Sequence, residues 1–235
     1  MCIKAVLFDL DGTLLPMDQD VFAKAYIGGL VKTAAKHGYD LTVMTSAIMR
    51  GTAAMVKNSG DMTNEELFWK TLSADVGEKI LAERDIFDSF YATDFQRIAE
   101  LCGKIERAGE IIDIIKARGL RVALATNPLF PTVATESRIR WAGLSPDSFE
   151  LFTSYETSHY CKPNLDYYRE VLSAMRIRGE ECVMVGNDVG EDMIAERLGM
   201  KVFLLTDCMI NRANADISAY PKGGADELIE FINSL

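Results

Sequence analysis

Few folds accommodate Val6-Leu7-Phe8-Asp9-Leu10-Asp11-Gly12-Thr13, in which an apolar run meets two acids and a glycine without a break. An apolar run bounded by turn residues reads as a strand buried on both faces. Such a strand delivers Asp9 and Asp11 to its carboxyl end, where open parallel α/β sheets bind ligands. Taken alone, the stretch fits equally well a strand that runs into an acidic, solvated turn.

The remainder of the chain separates into two kinds of pattern. From about residue 15 to 104 it reads as helix upon helix. Asp20 is expected to cap a helix over 21–36, Asp40 one over 41–58, and Thr63-Asn64-Glu65-Glu66 forms a capping-box pattern for a third over 64–75, with further helix from 78 through the 90s. Nothing there alternates like a strand. From Ala108 onward helices and strands alternate: strands at 121–125, 151–153, 182–185 and 201–205, and helices at 110–118, 133–141, 165–175, 192–198 and 225–234. This order predicts an α/β fold, a Rossmann-like parallel sheet core with helices on both faces, plus an all-helical cap domain. The expected division is 1–14 and 105–235 for the core and 15–104 for the cap, with hinges near Leu15-Pro16 and Gly103.

Three more short stretches fall where strands end or loops run: Thr126-Asn127-Pro128, Cys161-Lys162-Pro163-Asn164, and Gly186-Asn187-Asp188-Val189-Gly190-Glu191-Asp192. Each alone is an ordinary turn or loop. Together with Asp9-Leu10-Asp11-Gly12-Thr13, and in this order, they resemble the signatures of the haloacid dehalogenase superfamily of phosphohydrolases and phosphotransferases. The resemblance covers the whole core and leaves only the inserted segment without a motif.

That resemblance implies an enzyme, a phosphatase that hydrolyses a small phosphomonoester through an aspartyl-phosphate on Asp9. Asp11 would serve as general acid and base, its main-chain carbonyl binding the metal, with Thr13 holding its side chain. The hydroxyl of Thr126 and the amide of Asn127 would bind phosphoryl oxygens. Lys162 would neutralise Asp9 and the phosphoryl group, Asp9, Asp11 and Asp188 would hold Mg²⁺, and Asp192 would act from behind, through water or Lys162. In this motif Asn187 stands where the family usually has an acid, so either Asp188 or the Asn187 carbonyl faces the metal. An acid at position 11 argues against the superfamily's dehalogenases, which lack it and need no metal. A phosphosugar mutase using the same intermediate and a non-catalytic phosphate-binding module are the alternative readings.

Charge makes the same demand. A carboxylate attacking a dianionic phosphate at ~3.5 Å and an effective dielectric of ~20 meets a repulsion of roughly 9 kcal/mol. Positive charge must be supplied locally, because the chain carries a net charge of −10. An oxygen-rich, cysteine-free surrounding favours Mg²⁺. The same acidity argues against nucleic acid or an anionic membrane as partner. A small phosphorylated metabolite is the expected partner, a monomer or homodimer the expected assembly, and the cytoplasm the expected location. The five cysteines show neither a C-x-x-C pair nor zinc-like spacing with His37 and His159, and are expected to be small buried residues, Cys161 included. Met17, Asp18 and the first cap helix should lie closest to substrate. Glu191 is expected to be solvated and His159 to be a loop residue; Arg50 and Lys57 are either solvated or in contact with an anion.

Overall fold

The structure, a computed structural model, describes residues 2–235 of the chain. Strand β1 (Ala5–Phe8) is buried at all four positions. It lies between β2 (Arg121–Leu124) and β4 (Cys182–Gly186), parallel to both, in a six-stranded sheet of order β3-β2-β1-β4-β5-β6. The other strands are β3 (Leu151–Phe152), β5 (Lys201–Leu205) and β6 (Lys222–Gly223). Phe8 is level with both Leu124 and Val185, so the next residues of three strands emerge side by side at one edge. That register assembles a site from distant parts of the sequence.

Period-two alternation explains why β1 is apolar throughout. Val6 and Phe8 join a core with helices α7 (Ala108–Ala117) and α10 (Ala225–Asn233), whereas Ala5 and Leu7 join a second core on the opposite face with α9 (Leu165–Met175).

The inserted segment is helical, as its pattern predicts. It holds α1 (Gln19–Lys36), α2 (Leu41–Val56), α3 (Asn64–Val76) and the shorter α4 (Lys79–Ala82), α5 (Ile86–Ala92) and α6 (Asp94–Arg97). It is entered and left side by side, with Gly103 N donating to Pro16 O at 2.7 Å. Its face toward the sheet is aromatic: Tyr26 packs 4.9 Å from Phe130, and Phe95 4.8 Å from Trp141. Asn64 N donates to Ser158 O and Glu65 N to Tyr155 O, both at 2.8 Å, which ties the start of α3 to a core loop.

Some details depart from expectation. Asp18, not Asp20, caps α1, because Asp18 has extended backbone and its carboxylate accepts from Asp20 N and Val21 N. The stretch from residue 78 breaks into short pieces, and the residues after Asp192 form a 3₁₀ helix, Met193–Leu198, closed by Gly199. Strand β6 has no apolar run to betray it; two residues pair with β5. Among the described residues no helix is long and apolar enough to cross a membrane.

Candidate active site

At the carboxyl ends of β1, β2 and β4 a chamber of about 190 Å³ opens, lined by Asp9, Asp11, Thr126, Asn127, Asp188 and Asp192 among others. These come from all of the motifs except that of Lys162, whose ammonium reaches the same carboxylates from behind. Its Nζ donates to Asp9 Oδ1 at 2.8 Å and to Asp192 Oδ1 at 2.6 Å, and the side chain is 1% exposed. Burial alone would push this ammonium down, but Asp192 and Asp9 outweigh it and hold the pKa well above the ordinary lysine value. Burial and the nearby Asp9 push Asp192 in the protonated direction, against the pull of Lys162 and of the Asp188 N–H that donates to it at 3.0 Å. One cation thus serves two carboxylates in a dry setting.

The turn after β1 is fixed by its glycine. Gly12 has φ +86°, and a Cβ there would lie 2.3 Å from Asn187 Nδ2, so the two loops touch backbone to side chain. Asn187 is spent on structure: its side-chain oxygen accepts from Thr13 Oγ1 at 3.0 Å, its amide donates to Cys208 O at 2.7 Å, and its main-chain carbonyl accepts from Ile210 N at 2.9 Å. Asp188 keeps one carboxylate oxygen free of protein hydrogen bonds. Its other oxygen accepts from Gly190 N at 2.7 Å and Glu191 N at 3.0 Å.

Thr13 does not hold Asp11. Its hydroxyl lies between Asn187 Oδ1 and Asp9 Oδ2, the latter at 3.4 Å. Asp11 is held instead by Arg138, on α8 (Thr132–Trp141), whose Nη1 donates to Asp11 Oδ2. Asp11 Oδ1 is buried without a partner. Burial pushes the Asp11 carboxyl up, Arg138 pulls it down and Asp9 pushes it up again, leaving it above the usual carboxylate range.

Arg138 belongs to none of the four motifs. Its position i+4 from Ala134, beside Ile139 on the buried face of α8, is the one trace it leaves in the sequence. Glu191 is likewise no solvated acid: it lines the chamber and accepts from Asn127 Nδ2 at 3.1 Å, and burial raises its pKa. The Asn127 side-chain amide is therefore engaged. Thr126 is buried in the chamber wall, its carbonyl accepting from Thr153 Oγ1 and Tyr167 OH. Met17, Gln19 and Phe22 bring the helical segment to the chamber, whereas Asp18 caps α1. Arg50 pairs with Asp75 at the surface, Lys57 is exposed, and His159 pairs with Glu170. Cys161 is buried, its thiol pushed up to about 12 by desolvation; Cys2, by contrast, is exposed.

Among the described residues no three His, Cys, Asp or Glu side chains gather as a complete set of metal ligands. The chamber offers the carboxylates of Asp9 and Asp188 and the main-chain carbonyl of Asp11, which accepts one hydrogen bond from Gln19 Nε2 at 3.1 Å and retains a lone pair. An all-oxygen, incomplete set of this kind fits a hard divalent cation that keeps water and phosphate oxygens as its remaining ligands.

Known proteins share the whole plan. The phosphoglycolate phosphatase of Vibrio parahaemolyticus is 23% identical over 98% of this chain and 95% of its own. A haloacid dehalogenase phosphatase from Thermococcus onnurineus superposes with a TM-score of 0.57 at 17% identity, covering 99% of this chain and 97% of that one. The L-2-haloacid dehalogenase of Xanthobacter autotrophicus has the same fold, with a TM-score of 0.52, 20% identity, and coverage of 89% and 79%. The model of the haloacid dehalogenase-like hydrolases matches residues 3–199, most of the length, and the chain belongs to that family.

Proposed function

We propose that this hydrolase is a Mg²⁺-dependent phosphatase of small-molecule phosphomonoesters, with Asp9 attacking phosphorus to form an aspartyl-phosphate. The observation that carries this reading is the Lys162 ammonium bridging Asp9 and Asp192 at the sheet's carboxyl edge. Lys162 offsets the repulsion between the Asp9 carboxylate and the incoming phosphoryl group. Its second contact, to Asp192, fixes where the ammonium points. The Asp9 Oδ1 lone pair not used by Lys162 and the Oδ2 oxygen beside Thr13 are the candidate attacking positions.

Asp11 has one oxygen committed to Arg138 and the other unpartnered, so a single oxygen is left to give a proton to the leaving group and to take one from the hydrolytic water. Thr126 and the main chain at Asn127 are disposed to bind phosphoryl oxygens. Mg²⁺, held by Asp9, Asp188 and the Asp11 carbonyl, would neutralise phosphoryl charge when bound. The helical segment closes the chamber with Met17, Gln19 and Phe22, which limits bulk water at the reacting atoms. The likeness to a phosphatase of Vibrio parahaemolyticus supports the same reaction type.

The test is phosphate release from a panel of phosphomonoesters by purified protein with Mg²⁺ or with EDTA, in wild type and Asp9→Asn. Release that needs the cation and disappears in the variant is the expected result. Release that persists in Asp9→Asn rules out Asp9 as nucleophile.

A further inference from the structure

Leu129 lines the phosphoryl chamber and also a second, larger cavity of about 310 Å³ between the helical segment and the core. Aromatic side chains wall this cavity: Tyr26, Phe68, Trp69, Tyr91 and Tyr155. Four carboxylates, Glu65, Asp85, Asp88 and Glu156, line it as well, against a single cation, Arg84.

The acids that span the seam are fixed. Glu156 accepts from Thr132 N at 2.8 Å and from Thr132 Oγ1 at 2.9 Å, so its carboxylate is locked to the start of α8. Glu65 sits in the first turn of α3, its own N–H bound to Tyr155 O across the seam. Burial and the nearby Glu156 raise the Glu65 carboxyl above its ordinary value, even though Arg84 lies 3.3 Å away. Trp69, 6% exposed, lines the same cavity, and its indole N–H is buried with no hydrogen-bond partner.

The aromatic faces of Tyr26, Phe68, Tyr91 and Tyr155 attract an organic cation, the Trp69 face being already covered by Arg84 at 4.7 Å. The excess of carboxylates, Glu65 and Glu156 within the seam and the exposed Asp85 and Asp88, favours one further while repelling an anion. We propose that this cavity is the leaving-group subsite and that it takes an ammonium-bearing group without a carboxylate, the substrate being a phosphomonoester of an amino alcohol. This rests on the phosphatase reading above. It sets the chain apart from its phosphoglycolate phosphatase relative, since the glycolate carboxylate would face four acids.

Three small esters separate the charges at the far end: phosphocholine, ethyl phosphate and phosphoglycolate. The expected order of kcat/KM is phosphocholine, then ethyl phosphate, then phosphoglycolate. Glu65→Gln should lower the phosphocholine to ethyl phosphate ratio about tenfold. Arg84→Gln, which removes the lone cation, should raise it, a change of opposite sign that misfolding cannot imitate. Phosphoglycolate faster than ethyl phosphate, or a ratio unmoved by both variants, overturns the assignment. Calorimetry of choline with Asp9→Asn protein decides it independently of catalysis. Saturable binding, weakened when Glu65→Gln is added, sustains the subsite even if no ester is turned over, which would count against the phosphatase reading alone. No binding of choline overturns the subsite.

Discussion

Arg138 and Asp11 form an ion pair in which the guanidinium is wholly buried and the carboxylate, on the chamber wall, is 16% exposed. The guanidinium also stacks 4.0 Å above the Phe130 ring and donates to Thr135 Oγ1 at 3.2 Å, so its position is fixed on several sides. Removing it strands a carboxylate in a dry place. Arg138→Met should therefore lose about 3–5 kcal/mol of unfolding free energy, the usual cost of breaking a buried pair. The double variant Asp11→Asn, Arg138→Met should regain part of it, because the amide carries no charge. Urea denaturation of the three proteins checks this, and a double variant no more stable than Arg138→Met would mean that lost packing is the whole effect.

Lys162 touches two carboxylates at once, and its loss should be felt mainly in the reaction. Lys162→Met should reduce kcat for phosphate release by ~10²–10³-fold, the scale of deleting one preorganised electrostatic group. Lys162→Arg should not restore it, because a planar fork cannot replace a point charge in a buried slot between Asp9 and Asp192. Asp192→Asn, which leaves the Asp9 contact, should cost only ~10–100-fold. Steady-state kinetics order the three variants.

Much of this arrangement is legible in the chain, and the reason is local. Asp9, Thr126 and Asp188 each follow an apolar strand, and parallel strands in register bring their ends together, so reading the strands is reading the site. Asp40 and Thr63 cap their helices through bonds within three residues, which sequence carries directly. Arg138 is illegible because Glu136-Ser137-Arg138-Ile139-Arg140 looks like any helix surface. Its burial depends on Asp11 and Phe130, remote in sequence. Thr13 and Glu191 are illegible for the same reason: their partners Asn187 and Asn127 are set by how loops meet. The aromatic and acidic cavity is assembled from α1, α3, α5 and a core loop, and no one segment reveals it.

Gly12 packs directly against Asn187, and its substitution tests how tightly the first and last motifs are joined. Gly12→Ala puts a side chain at φ +86° and a methyl 2.3 Å from Asn187 Nδ2. The backbone conformation alone costs about 1–2 kcal/mol. The clash should displace Asn187, and with it the Thr13 hydrogen bond that reaches Asp9. The expected result is a loss of activity larger than the loss of stability explains; full activity in a folded Gly12→Ala protein would show that the contact is dispensable.

The incomplete oxygen set predicts that a cation stabilises the fold. At a hundredfold excess over its Kd a ligand bound by the native state alone adds about 2.7 kcal/mol. Mg²⁺ should raise the midpoint of thermal unfolding, EDTA should remove the rise, and Asp188→Asn should flatten it by taking away the carboxylate with a free oxygen. A midpoint insensitive to Mg²⁺ in wild type, measured by scanning calorimetry, would separate the chamber from any cation role.

Away from the site, Glu181 gives the fold a pH dependence. It accepts from Lys4 Nζ at 2.6 Å and from Arg178 N at 3.0 Å, pinning the start of β4 to the residue before β1. The Lys4 contact, with the Arg178 bonds, lowers its pKa from 4.5 to about 2. A group whose folded pKa is depressed binds protons more readily in the unfolded chain, so its contribution is present above pH 4.5 and is lost as pH falls toward 2. Wild type should therefore lose thermal stability across that window faster than Glu181→Gln, whose neutral side chain cannot titrate. The two curves of unfolding temperature should converge at the acid end. Parallel curves from pH 5 to pH 2 would show that the ion pair does not set the acid limit.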